Sequence, residues 1–248
     1  MDSRKIIYKI YWKIQDIIVP TLKYSQYLYE EVLKSYINPN ITWLDLGCGH
    51  QILPSWRLNA EKYLVRNCKT IVGVDYDFHS LKKHKSISLK VRGDISKLPF
   101  KNNAFDLITA NMVVEHLDNP ENQFQEVNRV LKPGGIFLFH TPNILVYTTI
   151  MAKLIPKILK PKLIWLLQGR KEEDIFNTYY RANSKNKIIK LAQMAGFEVT
   201  KIKLIVSCAQ FAIIPPLAIF ELIWIKILMS RYFKSFRTNI IAILKKLK

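Results

Sequence analysis

A chain of 248 residues, 49% of them apolar, is long enough to bury a sizeable core as one α/β domain with appended elements, which excludes a disordered protein. Its formal net charge of +19 directs it toward polyanions, anionic lipid or nucleic acid, without choosing between them. Three scattered cysteines, Cys48, Cys68 and Cys208, exclude a disulfide framework and a zinc site and point to a reducing cytoplasm.

Residues 1–37 read as a helical N-terminal extension mixing Tyr, Trp, Ile and Lys. Its apolar residues are broken by Lys9, Lys13 and Asp16, so no signal-peptide core is expected. From residue 41 short apolar runs alternate with longer amphipathic ones. Ile41 to Leu46, Thr70 to Asp75, Ile87 to Val91, Phe105 to Ala110 and Gly135 to His140 read as strands. Between the last two, Glu121 to Leu131 has helical spacing, with Phe124, Val127, Val130 and Leu131 on one face; Pro120 sits where the helix begins and Pro133-Gly134-Gly135 is expected to stop it. Strands alternating with helices predict a doubly wound sheet, with functional loops at the carboxyl ends of the strands. Thus 38–143 is the expected core, and 144–184 an insertion after the fifth strand that caps the substrate. Residues 185–213 would complete the core: Ser184 is a helix N-cap, Gly196 the stop, and a sixth strand starts at Phe197. Residues 214–248 read as a basic amphipathic tail. The chain carries no charge between Lys203 and Glu221, but Pro215-Pro216 splits this stretch and Glu221 and Lys226 interrupt it. It is read as a final strand plus a segment lying in a membrane surface rather than spanning it.

Several short motifs follow strands in order. Asp45-Leu46-Gly47-Cys48-Gly49 is a buried strand running into a glycine turn, where a backbone without Cβ can approach a ligand. Asp75 ends the second strand, where a carboxylate can accept hydrogen bonds from both ribose hydroxyls; Asp75 or Asp77 would serve equally well as a helix N-cap. Asp94, followed by Ile95, stands where a carboxylate can accept from an adenine amino group, and as an ordinary turn aspartate it fits at least as well. Asn111 opens the loop after the fourth strand, which continues to Glu115-His116-Leu117.

Leu-Asp-Leu-Gly-Cys-Gly, Gly-Val-Asp, Gly-Asp-Ile, Leu-Pro-Phe, Phe-Asp-Leu-Ile, Glu-His-Leu and Leu-Lys-Pro-Gly-Gly succeed one another over residues 41–143. In that register the chain resembles the class I S-adenosylmethionine-dependent methyltransferases of the small-molecule and lipid type. The resemblance implies a Rossmann-like, doubly wound, mostly parallel seven-stranded sheet with one antiparallel strand, and S-adenosyl-L-methionine as cofactor. By position, Asp45, Gly47 and Gly49 would border its methionine part, Asp75 its ribose, Asp94 and Ile95 its adenine, and Asn111 the region near the sulfonium. One departure bears on cofactor affinity: Gln51 stands where the family usually has a glycine.

Methyl transfer from a sulfonium is an in-line displacement that depends mainly on orientation. Where the acceptor is a hydroxyl a general base helps, and His116 is the first candidate for it and His140 the second. Glu115-His116 could equally order the loop. Tyr179, Tyr180 and Arg181 could line a ring-shaped or anionic substrate, or lock the insertion onto the core. The chain has no Asn/Asp-Pro-Pro-Tyr/Phe tetrapeptide after the fourth strand and no appended RNA-binding module, so nucleic acid is not the expected partner. Lys153, Lys157 and Lys160 recur at helical spacing among apolar residues, and Arg231, Lys234, Arg237, Lys245 and Lys246 follow the second apolar stretch. Both suit peripheral attachment to an anionic membrane surface, with a small-molecule, lipid or lipid-linked acceptor. The rivals are an RNA methyltransferase and a cofactor-binding scaffold without catalysis. Oligomeric state is not legible, and no metal is expected.

Overall fold

The computed structural model describes residues 3–145, 147 and 176–247. The segment with Lys153, Lys157 and Lys160, and most of the expected insertion, lie outside the described residues.

Seven strands form one mixed sheet: β1 (Thr42–Leu46), β2 (Thr70–Asp75), β3 (Leu89–Arg92), β4 (Phe105–Asn111), β5 (Leu131–Pro142), β6 (Phe197–Ile205) and β7 (Asn239–Lys246). Their order in space is β3-β2-β1-β4-β5-β7-β6, and the pairings from β3 to β5 are parallel. The winding therefore reverses between β1 and β4, where open α/β sheets carry their ligand crevice. Strand β1 is a continuous run because Trp43, Leu44, Asp45 and Leu46 are all buried, as expected of a parallel strand covered on both faces.

The connecting helices begin and end where side chains take over the free backbone groups. Helix α1 is Ser3–Ile18, α2 Ser25–Lys34, α3 Leu58–Arg66 and α4 Phe78–Lys83. In α5 (Pro120–Val130) the proline needs no N–H partner in the first turn, and Phe124, Val127 and Val130 pack inward. The helix ends at Val130, earlier than the Pro-Gly-Gly signal suggested, because Leu131 already pairs with Phe105. Pro133-Gly134-Gly135 instead makes a bulge: the next pair is Leu107 with Ile136. A Cβ on Gly135 would lie 3.0 Å from the Asp106 carbonyl oxygen, so only glycine lets β5 rejoin the sheet there. Helix α6 (Lys185–Met194) is capped by the Ser184 hydroxyl, which accepts the Lys187 N–H at 3.4 Å, and it is followed by Gly196 at φ +78°.

The last helix, α7 (Pro215–Met229), and β7 revise the reading of residues 214–248 as a tail. Ile240, Ile241, Ala242 and Leu244 of β7 are fully buried, and the strand lies inside the sheet between β5 and β6. Lys246 is not a headgroup-facing lysine. Its ammonium donates to the carbonyls of Asn128 (2.7 Å) and Leu131 (2.8 Å) and to Asn103 Oδ1 (2.9 Å), and burial lowers its pKa. Arg237 is likewise occupied, donating to the carbonyls of Leu204, Leu228 and Met229 at 2.8–3.1 Å and so closing the C-terminus of α7.

Two compact units result. One is Gln26–Pro142, Thr178–Lys203 and Ile240–Lys248, and it carries most of the sheet. The other is Met1–Ser25, Asn143–Asn177 and Leu204–Asn239; its core includes Tyr11, Val19, Val206, Leu222, Ile225 and Leu228. The expected N-terminal extension is thus divided, α1 going to the second unit and nearly all of α2 to the first. Among the described residues no helix is long and apolar enough to cross a membrane.

Candidate active site

The glycine turn after β1 is shaped by two residues with positive φ, Gly47 at +60° and Gly49 at +50°. A Cβ on Gly47 would stand 2.5 Å from Val113 Cγ2, so the post-β4 loop closes against the turn. A Cβ on Gly49 would meet nothing within 4 Å, leaving the space over the turn open to a ligand. The Gly49 N–H donates to Asp75 Oδ2 at 2.7 Å, and the Asp77 N–H to Asp75 Oδ1 at 2.8 Å. The helix-capping role belongs to Asp77, whose carboxylate accepts the His79 and Ser80 N–H groups at 3.0 and 3.1 Å. Past the turn, buried Glu61 of α3 accepts the N–H groups of Ile52 and Leu53, both at 2.9 Å, and so fixes the loop that carries Gln51.

Beneath the turn Asp45 is 2% exposed. The Thr109 hydroxyl donates to its Oδ1, and the Trp43 indole N–H donates to Thr109 Oγ1 at 2.6 Å. Burial raises the Asp45 pKa to about 8; the Thr109 hydrogen bond opposes this, while the charges of Glu61 and Asp75 add to it. Among the described residues no cation pairs with this carboxyl.

At the end of β4, Asn111 Nδ2 donates to Gln26 Oε1 and to the Ile52 carbonyl, both at 3.0 Å. Its Oδ1 is therefore the acceptor for His140 Nδ1, also at 3.0 Å, which leaves the lone pair of the imidazole on Nε2. His140 is wholly buried, stacked on Tyr29 with ring centroids 5.6 Å apart, and Nε2 has no hydrogen-bond partner among the described residues. Burial pushes its pKa down to about 3. Met112 follows at φ +58°, its N–H held by the His140 carbonyl at 2.8 Å. His116 closes a short 3-10 turn, Val114–His116, and is half-buried.

Asp94 is exposed and accepts the Ser96 N–H at 2.8 Å, so its turn role is present. Ile95 joins Leu46, Ala110, Val113, Val114 and Leu117 in a narrow apolar crevice. The Tyr179–Asn183 stretch is tied down. The Tyr179 and Tyr180 N–H groups donate to the Glu115 carbonyl at 2.8 and 3.1 Å, Arg181 donates to the Asp118 carbonyl, and Asn183 donates to Thr141 Oγ1 at 2.7 Å. These bonds hold the stretch against the post-β4 loop and the end of β5, while Tyr179 stays 45% exposed.

Residues 44–139 match the protein family described as "Methyltransferase domain". That stretch is a class I S-adenosylmethionine-dependent methyltransferase domain. The chain is 28% identical over 171 residues to a demethylmenaquinone methyltransferase of Staphylococcus haemolyticus, covering 64% of this chain and 70% of that protein. It is 34% identical over 112 residues to a sterol 24-C-methyltransferase of Gibberella zeae, covering 41% of this chain and 27% of that protein. A solved methyltransferase structure from Listeria monocytogenes covers 89% of this chain and 99% of its own, with a TM-score of 0.57 at 15% identity, a likeness of fold.

The methyl donor this domain implies is S-adenosylmethionine. The chain's residues suit that cofactor: open space over Gly49, a carboxylate at the end of β2, and a buried carboxyl without a cation. Four contributors were missed from the sequence, namely Gln26, Tyr29, Glu61 and Thr109. Thr109 was within reach, since it is the β4 residue paired with Asp45 in parallel register. Glu61 carried a fainter signal, an acid on the buried face of an amphipathic helix.

Proposed function

We propose that this methyltransferase acts at a membrane surface, on a lipid, a quinone-like ring or a lipid-linked glycan. In this reading Asp45, Gly47 and Gly49 border the methionine part of the cofactor, Asp75 takes its ribose, Asp94 and Ile95 its adenine, and Asn111 lies toward the sulfonium. The observation that carries the cofactor seat is the division of labour between two aspartates: Asp77 caps α4, and Asp75 lies against Gly49 with lone pairs left for hydroxyls. The cofactor, when bound, supplies an electrophilic methyl group. The chain contributes orientation. His140, buried and neutral, fixes the amide of Asn111 and is a positioning residue. His116 is then the side chain that would take a proton from a hydroxyl acceptor. The apolar acceptor class is supported by relatives named for demethylmenaquinone and sterol methylation, and the membrane by the charge of +19.

Incubation with methyl-labelled S-adenosylmethionine and a lysate lacking the protein tests this. Label should enter the lipid fraction and fall at least tenfold with His116→Ala. Label confined to RNA or water-soluble products would overturn the acceptor class, and undiminished label in the variant would overturn the base.

A further inference from the structure

Helix α7, Pro-Pro-Leu-Ala-Ile-Phe-Glu-Leu-Ile-Trp-Ile-Lys-Ile-Leu-Met, is apolar nearly all round. A soluble surface helix turns its polar residues outward, and a helix apolar on every side belongs in a core or in lipid. Here one side is buried: Ala218, Leu222, Ile225 and Leu228 pack in the core of the second unit. The acid that seemed to interrupt the stretch faces inward with them. Glu221 is 5% exposed; it accepts the N–H groups of Gln210 and Phe211, both at 2.8 Å, and the hydroxyl of Tyr147. With Glu221 turned in, the outer side carries Leu217, Ile219, Phe220, Ile223, Trp224 and Ile227, all exposed, and Phe220 is 72% so. The apolar surface continues past the helix, Trp224 to Phe233 (6.4 Å between rings) and Phe233 to Phe236 (6.5 Å), with Tyr232 77% exposed beside them.

The cations lie at the margins. With successive residues about 100° apart, Lys226 projects about 100° from Ile227, toward one border of the face, and Arg231 and Lys234 are exposed in the turn that follows. An apolar, aromatic-rich face bordered by lysine and arginine is the surface that settles between acyl chains while its cations meet anionic headgroups. The helix has 15 residues, about 22 Å at 1.5 Å each, too short for a hydrocarbon core of about 30 Å.

We infer that the outer face of α7 and the 231–236 turn form a monotopic insertion surface for an anionic lipid bilayer, with the helix lying in the plane of the membrane. The inference rests on the membrane-surface reading above and assigns it to a particular element. Flotation of the full chain with vesicles of phosphatidylcholine alone, and with one quarter phosphatidylglycerol, tests it. Binding should favour the anionic vesicles, and Phe220→Glu with Ile227→Glu should weaken it at least tenfold, because both substitutions put a carboxylate where an apolar side chain would enter the acyl region. Cofactor affinity of the variant, measured by calorimetry, should match the parent and certify its fold. Phe220→Ser with Ile227→Ser replaces the acidic pair if that does not fold. Undiminished flotation of a folded variant overturns the inference. So does a parent dimer that ignores vesicles and becomes a monomer on substitution, because a second copy then covers the face. Flotation that depends on α7 while label never enters lipid leaves this surface standing and refutes the acceptor class instead.

Discussion

At neutral pH the Asp45 carboxyl keeps its proton in the ligand-free protein, and a cationic cofactor seated over the glycine turn should expel it. The rise from 3.8 to about 8 comes first from burial and is only partly offset by the Thr109 hydroxyl; at 1.36 kcal/mol per tenfold it amounts to roughly 5–6 kcal/mol of preference for the neutral form. At pH 7 a group with that pKa is about nine-tenths protonated, and at pH 9 about one-tenth. If binding returns it to the ordinary carboxylate range, S-adenosylmethionine binding should release about 0.9 proton at pH 7 and about 0.1 at pH 9, with affinity rising nearly tenfold per pH unit below 8. Calorimetry in two buffers of different ionisation enthalpy counts the protons. Asp45→Asn, which keeps an acceptor for Thr109, should release none. Stability supplies an independent reading. Between pH 4 and 8 the folded chain holds a proton at Asp45 that the unfolded chain has lost, so this residue's contribution falls as pH rises across that window and is flat above it. The Asn variant should therefore melt several degrees above the parent at pH 8 and close to it at pH 5. Equal proton release at pH 7 and 9, or equal release by parent and variant, would refute the argument that Asp45 is the buried acid the cofactor meets.

Two further outcomes follow from the same geometry. Gly47→Ala combines a positive φ with a 2.5 Å approach to Val113 and should lose about 2–4 kcal/mol in urea unfolding, whereas Gly49→Ala, in open space, should lose about 1 kcal/mol. Equal losses would mean that the contact with Val113 does not constrain the turn. His140, pushed down to about 3, stays neutral when folded while the unfolded chain gains a proton below about 6.5; its contribution to stability should thus fall as pH drops from 6.5 toward 3. His140→Phe keeps the ring against Tyr29, should remove that acid-side loss, and should cost about 1–3 kcal/mol at pH 7 for the unpaired Asn111 carbonyl. An unchanged acid limb in melting experiments would show that His140 is not its source.

Local chemistry in the sequence was enough for the first five strands, the glycine turn and the family. Short apolar runs ending in Gly47, Asp75 and Asn111 state both the strand and the loop that leaves it, because the turn needs positive φ and the strand needs burial. The seventh strand was not legible. Asn-Ile-Ile-Ala-Ile-Leu-Lys-Lys has the composition of a basic apolar tail, and only its place between β5 and β6 makes it a core strand. The same holds for charge. Lys246, Arg237 and Glu221 look like solvent-facing charges in one dimension, yet each is consumed by backbone groups that the fold brings near. Whether Asp75 or Asp77 caps the helix was also undecided by residue type, since either carboxylate can do it; the path of the chain after β2 gave the cap to Asp77. Residue type thus set which chemistry was available, and the tertiary structure decided which groups were spent on holding the fold, because a hydrogen bond is made only by the groups that packing brings within reach.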